Sequence, residues 1–371
     1  MLKQEVRALT GLRGIAAVMV MLYHFNTGQL LEGRAGNLLG NGYLMVDLFL
    51  VLSGFVLALN YGYLFERSLN ARDILRFVYR RLSRIYPLYA VMTFTAALLV
   101  ANSLMDRWPG PPVAVSALIN LTMFQTLFNV PTLDTPGWSV SAEWIASLCF
   151  PFIVLALLRR SWPANLLAML GAWALLSLIA ISPELFDEPK RSGFLDIWHY
   201  GTPYPVMRCL ADFVMGIMTY RALDFAWIRR WLGHPVVAGV ICTGTLLMMT
   251  LKGADVLIVA CFPLLILALQ SGQHAAARLV GAPPFYRLGV ISYSIYLVHN
   301  QLNYFMHGLA DRLLQHGLSA SMATALSIAV FAAIAILIAR ITFLLIERPA
   351  MRGLRNLQRT RALPVAGRPQ A

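Results

Sequence analysis

A chain of 371 residues that is 58% hydrophobic and only 13% charged is unlike a soluble domain, where about a quarter of residues carry charge. Its apolar residues come in long, evenly spaced runs, which excludes a string of soluble domains and leaves one membrane domain. The formal net charge of +13 would point to nucleic acid in a soluble protein. In a membrane protein it reflects Lys and Arg collected in cytoplasmic loops, and nucleic acid is set aside as a partner.

Lys3, Arg7 and Arg13 precede the first apolar run. No small-residue cleavage site follows it and further runs do, which predicts a retained signal-anchor helix. A span needs about 20 mostly apolar residues. Eleven candidates follow in order, at 8–27, 40–61, 85–104, 113–130, 137–158, 163–182, 203–223, 236–251, 254–270, 285–308 and 320–346. Loop charge tests the count. With the N-terminus inside, the arginines from Arg67 to Arg84 are inside. If 113–130 crossed, Arg159 and Arg160 would lie outside, and so would the basic tail from Arg348 to Arg368. The conflict vanishes if 113–130 does not cross. The expectation is therefore an all-α polytopic membrane protein with ten transmembrane helices, one re-entrant or interfacial segment, and both termini cytoplasmic. Asn120, Thr122 and Gln125 suit a segment buried in protein rather than facing lipid. The longest external loop is 183–202. Residues 1–350 form the transmembrane domain, and 351–371 read as a basic, disordered cytoplasmic tail. Cys149, Cys209, Cys242 and Cys261 all lie in apolar segments without a C-x-x-C, as small core residues do.

Ionisable side chains inside a bilayer are costly, so each is a functional candidate. The first helix carries Arg13 and His24. Eleven residues at about 100° each return to nearly one face, about 16 Å further along. Arg13 then stands at the cytoplasmic boundary and His24 in the outer half. That spacing suits an extended donor with a phosphate at one end and a reactive group at the other. An outward-snorkelling interfacial His is the plain alternative. Asp47 lies in the second helix, Glu143 about two turns into 137–158, and His299 with Asn300 in 285–308. All four ionisable groups, His24, Asp47, Glu143 and His299, are expected at similar depth in one cavity.

The block F-V-Y-R-R-L-S-R-I-Y-P-L-Y at 77–89 sets Arg80 and Arg84, with Arg76 before it, on one helical stripe. Arg fits phosphate bidentately, although a topogenic basic collar has the same composition. No Walker, dinucleotide, zinc-protease or serine-elbow motif occurs. None of the seven His residues has metal-ligand spacing, so no metal is expected.

Several of these stretches occur together in order. They are R-A-L-T-G-L-R-G-I-A-A at 7–17, Arg13-x10-His24, G-Y-L-M-V-D-L-F-L-V-L-S-G-F at 42–55, R-R-L-S-R-I-Y-P at 80–87, W-S-V-S-A-E at 138–143, S-Y-S-I-Y-L-V-H at 292–299 and E-R-P at 347–349. In this the chain resembles the membrane-bound acyltransferase-3 family of bacterial sugar-modifying proteins, over nearly its whole length. The resemblance implies a ten-helix inner-membrane core that takes acyl groups, usually acetyl, from cytoplasmic acyl-CoA. It implies extracytoplasmic or lipid-linked glycans as acceptors, with membrane lipids around it. It makes Arg13 and His24 essential-type residues and matches the arginine block to Arg80, Arg81 and Arg84.

A sugar hydroxyl needs a base before it can attack, and a neutral His suits that role near neutral pH. His24 is assigned as general base with Glu143 or Asp47 as its orienter, and an acyl-imidazole on His24 is the other route. Arg13, Arg80, Arg81 and Arg84 are assigned to the CoA phosphates. Trp138, Ser139, Ser141, His299 and Asn300 are assigned to substrate, with Ser139, Ser141 and Asn300 as oxyanion donors. A glycolipid transporter or flippase would also want a polar cavity and cytoplasmic arginines, but would release no free CoA. A sensor or scaffold would need no base at His24. Acceptor identity and oligomeric state are not legible in the sequence.

Overall fold

The computed structural model describes residues 6–26, 30–104, 108–182, 192–197, 202–271 and 273–353. The 351–371 tail beyond residue 353, and most of the 183–202 loop with Lys190 and Arg191, lie outside the described residues. Fifteen α-helices and no strand occur among the described residues. In chain order they are α1 (Arg7–His24), α2 (Gly33–Gly40), α3 (Met45–Phe65), α4 (Ala71–Ala101), α5 (Val113–Leu121), α6 (Gly137–Leu157), α7 (Trp162–Ile181), α8 (Tyr204–Ala222), α9 (Ala226–Leu232), α10 (Pro235–Met248), α11 (Asp255–Gln270), α12 (Ala275–Val280), α13 (Pro283–Val290), α14 (Ser292–Gln315) and α15 (Ala320–Thr342). A 3-10 turn, Asn41–Leu44, joins α2 to α3, and a π turn, Phe343–Glu347, extends α15.

Length and composition alone qualify five helical stretches to cross a membrane: Gly33–Phe65, Ala71–Ala101, Gly137–Leu157, Trp162–Ile181 and Ala320–Gly353. The pair α9–α10, bent by 70°, makes a sixth if it is one span. The other predicted spans do form helices, but they carry what a hydropathy average penalises. Arg7 and Arg13 lie in α1, Arg208, Asp212 and Arg221 in α8, and Asp311 and Arg312 in α14. Helices α10 and α11 are short, at 14 and 16 residues. Two predicted boundaries move. The span at 85–104 is the second half of a 31-residue helix that runs straight through Pro87 from Ala71. The one at 285–308 breaks at Ile291 between α13 and α14.

The candidate at 113–130 contains a helix of nine residues. That is about 14 Å, less than half the hydrocarbon thickness. The chain then turns back without helix, and Asn120 organises the return. Its amide donates to Ser116 O at 2.9 Å and Pro131 O at 3.1 Å, and its Oδ1 accepts from Leu133 N at 3.1 Å. Tyr89 of α4 donates to Asn120 O at 3.0 Å and accepts from Gln125 Nε2 at 2.9 Å. Asn120 and Gln125 are fully buried, as buried polar groups with partners are. Thr122 departs from expectation: it is exposed, donates back to Ile119 O and accepts from Phe124 N.

Glycine sets the closest helix contacts. A Cβ on Gly54 of α3 would lie 2.4 Å from Phe213 O, and one on Gly216 of α8 would lie 2.1 Å from Val51 O. Around α1 the clearance is as small. A Cβ on Gly14 would lie 2.5 Å from Gly289 N, and one on Gly289 would lie 1.8 Å from Thr10 O. Small residues let backbones touch where lipid offers no hydrophobic drive between helices. The result is a core of α1, α3, α6 and α8 with Asp47, Ser141, Asp212 and Arg208 sealed inside it. Large apolar side chains such as Leu167, Ile181 and Leu345 point outward.

Candidate active site

Two polar centres lie along α1. The first is a cavity of about 100 Å³ lined in part by Arg13, Ser53, Arg81, Arg84, Glu143 and Tyr296. Arg81 Nη2 donates to Glu143 Oε1 at 2.5 Å, and Ser53 Oγ donates to the same oxygen at 2.6 Å. Arg81 Nε has no acceptor. Arg84 lines the cavity and is exposed, so it stands at its mouth. Arg80 is exposed and does not line it. This follows from helical geometry: Arg80 and Arg84 share a stripe, while Arg81 is turned about 100° inward. In the wall itself Tyr293 donates to Ile85 O at 2.7 Å, and behind it Ser294 donates to the buried Glu347 on the π turn.

The second centre is a pair of imidazoles. His299 Nε2 lies 3.0 Å from His24 Nδ1, with ring centroids 4.9 Å apart. Each Nδ1 also faces a carbonyl one turn back in its own helix, Val20 O at 3.0 Å for His24 and Ile295 O at 3.1 Å for His299. A carbonyl only accepts, so each Nδ1 carries the proton. His299 Nε2 is then an acceptor, and His24 N–H points between Val20 O and that nitrogen. What remains on His24 is Nε2, which has no hydrogen-bond partner among the described residues. Tyr296 links the two centres. It lines the cavity, its ring is 5.9 Å from His299, and its hydroxyl is 2.7 Å from Ser139 Oγ.

Neither carboxylate assigned to orient His24 does so. Both oxygens of Asp47 are taken by Arg208, Nε to Oδ1 at 2.6 Å and Nη2 to Oδ2 at 2.5 Å, while Nη1 donates to Ile197 O at 3.2 Å. Glu143 lies with Arg81 at the Arg13 end of α1, not at the depth of His24. The reason is the chain reversal before it. Gly137 opens α6 against the Tyr89 ring, deep in the molecule, so two turns further on reaches the level of Arg81.

The expected substrate residues scatter. Ser139 stays at the cavity wall. Ser141 is buried against the returning loop, donating to Met123 O at 2.9 Å and meeting Thr126 Oγ1 at 2.7 Å. Trp138 lies under the Arg208 guanidinium at 5.6 Å. Asn300 is half-buried and outside the cavity wall.

Sequence reading missed Ser53, Tyr296, Arg208, Asp212 and Asp134. The last three were open to the rule already applied, an ionisable group inside an apolar run or beside one. Asp134 lies in the loop before α6, 2% exposed, beside the Gln301 amide and with no cation paired to it among the described residues. Burial pushes its carboxyl up to about 7. Among the described residues, no group of three or more His, Cys, Asp or Glu is arranged to hold a metal ion.

A family model described as "Acyltransferase domain" matches residues 6–344. Acyltransferase MdmB of Streptomyces mycarofaciens is 28% identical over 93% of this chain and 91% of its own length. O-acetyltransferase OatA of Staphylococcus aureus is 29% identical over 46% of this chain and 28% of its own length. Protein 2 in picA locus of Rhizobium radiobacter is 39% identical over 38% of this chain and 78% of its own length. No solved structure matches the chain.

Proposed function

The chain belongs to the acyltransferase domain family and is a membrane acyltransferase, and from that premise we propose that it moves an acyl group, acetyl first among them, from cytoplasmic acyl-CoA to a hydroxyl of an extracytoplasmic or lipid-linked glycan. The observation that carries this reading is the Nε2 of His24, without a hydrogen-bond partner among the described residues and about 16 Å along α1 from the guanidinium cavity.

In this reading the donor enters at the arginine end. A cavity of about 100 Å³ is too small for a nucleotide, so it takes the thioester arm beside Arg13 and Arg81. The phosphates stay at the mouth with Arg84 and, further out, Arg80. His24 Nε2 takes the proton of the acceptor hydroxyl. The oxygen attacks the thioester carbonyl, the C–S bond breaks, and the thiolate leaves with the proton from the imidazolium. His299 replaces Glu143 and Asp47 as the group that fixes the tautomer of His24. Tyr296, on the cavity wall, is the donor best set for the oxyanion once its hydroxyl turns from Ser139, whose own proton is held by Pro136 O. Support for acetyl as the acyl group comes from the relative whose name is O-acetyltransferase.

The proposed topology is ten crossings, by α1, α3, α4, α6, α7, α8, α10, α11, α14 and α15, in a bacterial inner membrane with both ends cytoplasmic. The nine-residue length of α5 supports leaving 113–130 out. Reporter fusions after Arg160 and after Arg361 should both read cytoplasm; an external signal at either site overturns the count.

The central test is His24→Ala. The variant should insert, accumulate and bind acetyl-CoA, while transfer falls roughly 10²–10⁴-fold. Near-normal glycan acylation at matched protein level would refute the assignment. Radiolabelled acyl trapped on wild-type protein but not on the variant would favour the acyl-imidazole route. Release of free CoA separates all of this from a transporter.

A further inference from the structure

The far end of α1 opens on a second cavity, of about 420 Å³, within the range of small-molecule sites. It shares no residue with the guanidinium cavity. Arg13 lines one and Tyr23 the other, ten residues or about 15 Å apart on α1. Tyr23 is also next to the reactive end, with its ring centroid 5.2 Å from that of His24.

The chemistry of the wall is specific. Asn41 lines it with both amide N–H groups spent, on Met249 O and Leu251 O, each at 2.9 Å, and Asn37 with one spent, on Thr250 O at 3.0 Å. Both amide oxygens and one Asn37 N–H are what they can offer a ligand. Asp255, 1% exposed, also lines it. Its Oδ2 takes both the Tyr43 hydroxyl and Leu195 N, and its Oδ1 has no donor among the described residues. Tyr23 and Ser192 add hydroxyls, joined at 2.9 Å. Among the described residues the wall is thus rich in acceptors, with one buried carboxylate oxygen unpaired and Lys252 its one cation. Phosphate would meet carboxylate here. A ring bearing several hydroxyls brings the donors that these oxygens lack.

We propose that this second cavity is the acceptor site, binding a neutral polyhydroxylated sugar ring so that one hydroxyl reaches His24 from the side opposite the acyl donor. This rests on the acyltransferase reading above and adds the place and chemical class of the second substrate.

Gly40 supplies the probe. It lines the cavity in right-handed helical conformation, φ −61° and ψ −31°, and a Cβ there meets nothing within 4 Å. Gly40→Trp should fill the space without displacing backbone, and Asn37→Leu removes an acceptor as a second, smaller change. Each variant is expressed at matched level in cells lacking the wild-type chain. Acylation is read by mass spectrometry on the water-soluble polysaccharide and the glycolipid extract separately, which tells free from lipid-linked acceptor. Acetyl-CoA binding is titrated on the purified full chain. Expected are a fall of at least tenfold in acylated sugar for Gly40→Trp, a smaller fall for Asn37→Leu, and unchanged acetyl-CoA affinity in both. Normal acylation in both variants overturns the cavity assignment and leaves the acyltransferase intact. Wild-type cells with no acylated sugar, and protein with no affinity for acetyl-CoA, overturn both readings together.

Discussion

Among the described residues, two Arg–carboxylate pairs, one buried and one half-buried, are built from the same groups in different settings. Arg208–Asp47 is bidentate, with side chains 2% and 0% exposed. Arg81–Glu143 meets through one oxygen, with side chains 12% and 19% exposed on a cavity wall. In the first, both carboxylate oxygens are taken and the guanidinium is further held by Ile197 O. In the second, Arg81 Nε is unspent and Ser53 shares the bonded oxygen. A sealed, saturated pair fixes helices α3 and α8 to one another. An open, unsaturated pair holds a cation in readiness for another anion. Chemical type alone therefore does not say which buried charges are for substrate; saturation and access do.

Breaking the sealed pair should cost most. Asp47→Ala leaves an uncompensated guanidinium at the centre of the core, and the expected loss is about 3–5 kcal/mol, read as a lower unfolding temperature and poor accumulation. The comparison sharpens if both partners are replaced, Asp47→Leu with Arg208→Met. Removing both charges should recover most of that loss, and a double variant as unstable as Asp47→Ala would show that the pair does more than satisfy itself. Glu143→Gln tests the open pair. It should cost less stability, about 1–2 kcal/mol, because Arg81 still faces a cavity, yet acyl transfer should fall at least tenfold in a steady-state assay. Equal destabilisation by Glu143→Gln and Asp47→Ala would erase the distinction.

Asp134 supplies a third case, a buried carboxylate with no cation paired to it among the described residues. Its folded value near 7 lies above that of an unfolded aspartate. The folded state therefore holds its proton longer, and stability contributed at low pH is lost as pH rises from about 4 through 7. Asp134→Asn should raise the unfolding temperature at pH 8 and leave it nearly unchanged at pH 4. A gain that is the same at both values would rule out ionisation as the cause.

Much of this was legible in the residues. Helical class follows from apolar run length, and the nine-residue helix inside 113–130 is in keeping with a segment too short to cross. Pairing did not follow. Asp47 meets Arg208 across 161 residues, and His24 meets His299 across 275, and nothing local in one sequence encodes such partners. Depth failed at Glu143 for a related reason. Counting turns from the start of α6 assumes that the helix begins at the surface, whereas the fold-back organised by Asn120 starts it inside. The family resemblance grouped Arg81 with Arg80 and Arg84, and the helical turn separates the inward Arg81 from the two exposed ones.

The glycine contacts around α1 have a consequence for selectivity. With Gly14 of α1 packed on the α13 backbone and Gly289 of α13 packed on Thr10 of α1, this helix can neither slide nor roll without a clash. On the proposed reading of the site, the interval between its guanidinium and its imidazole is a ruler, set at eleven residues and about 16 Å. A flexible cleft grades ligands by how well they fit. A ruler grades them by reach, so a thioester on a truncated carrier arm would dock by its anion and hang short of the base, however well its acyl group matched.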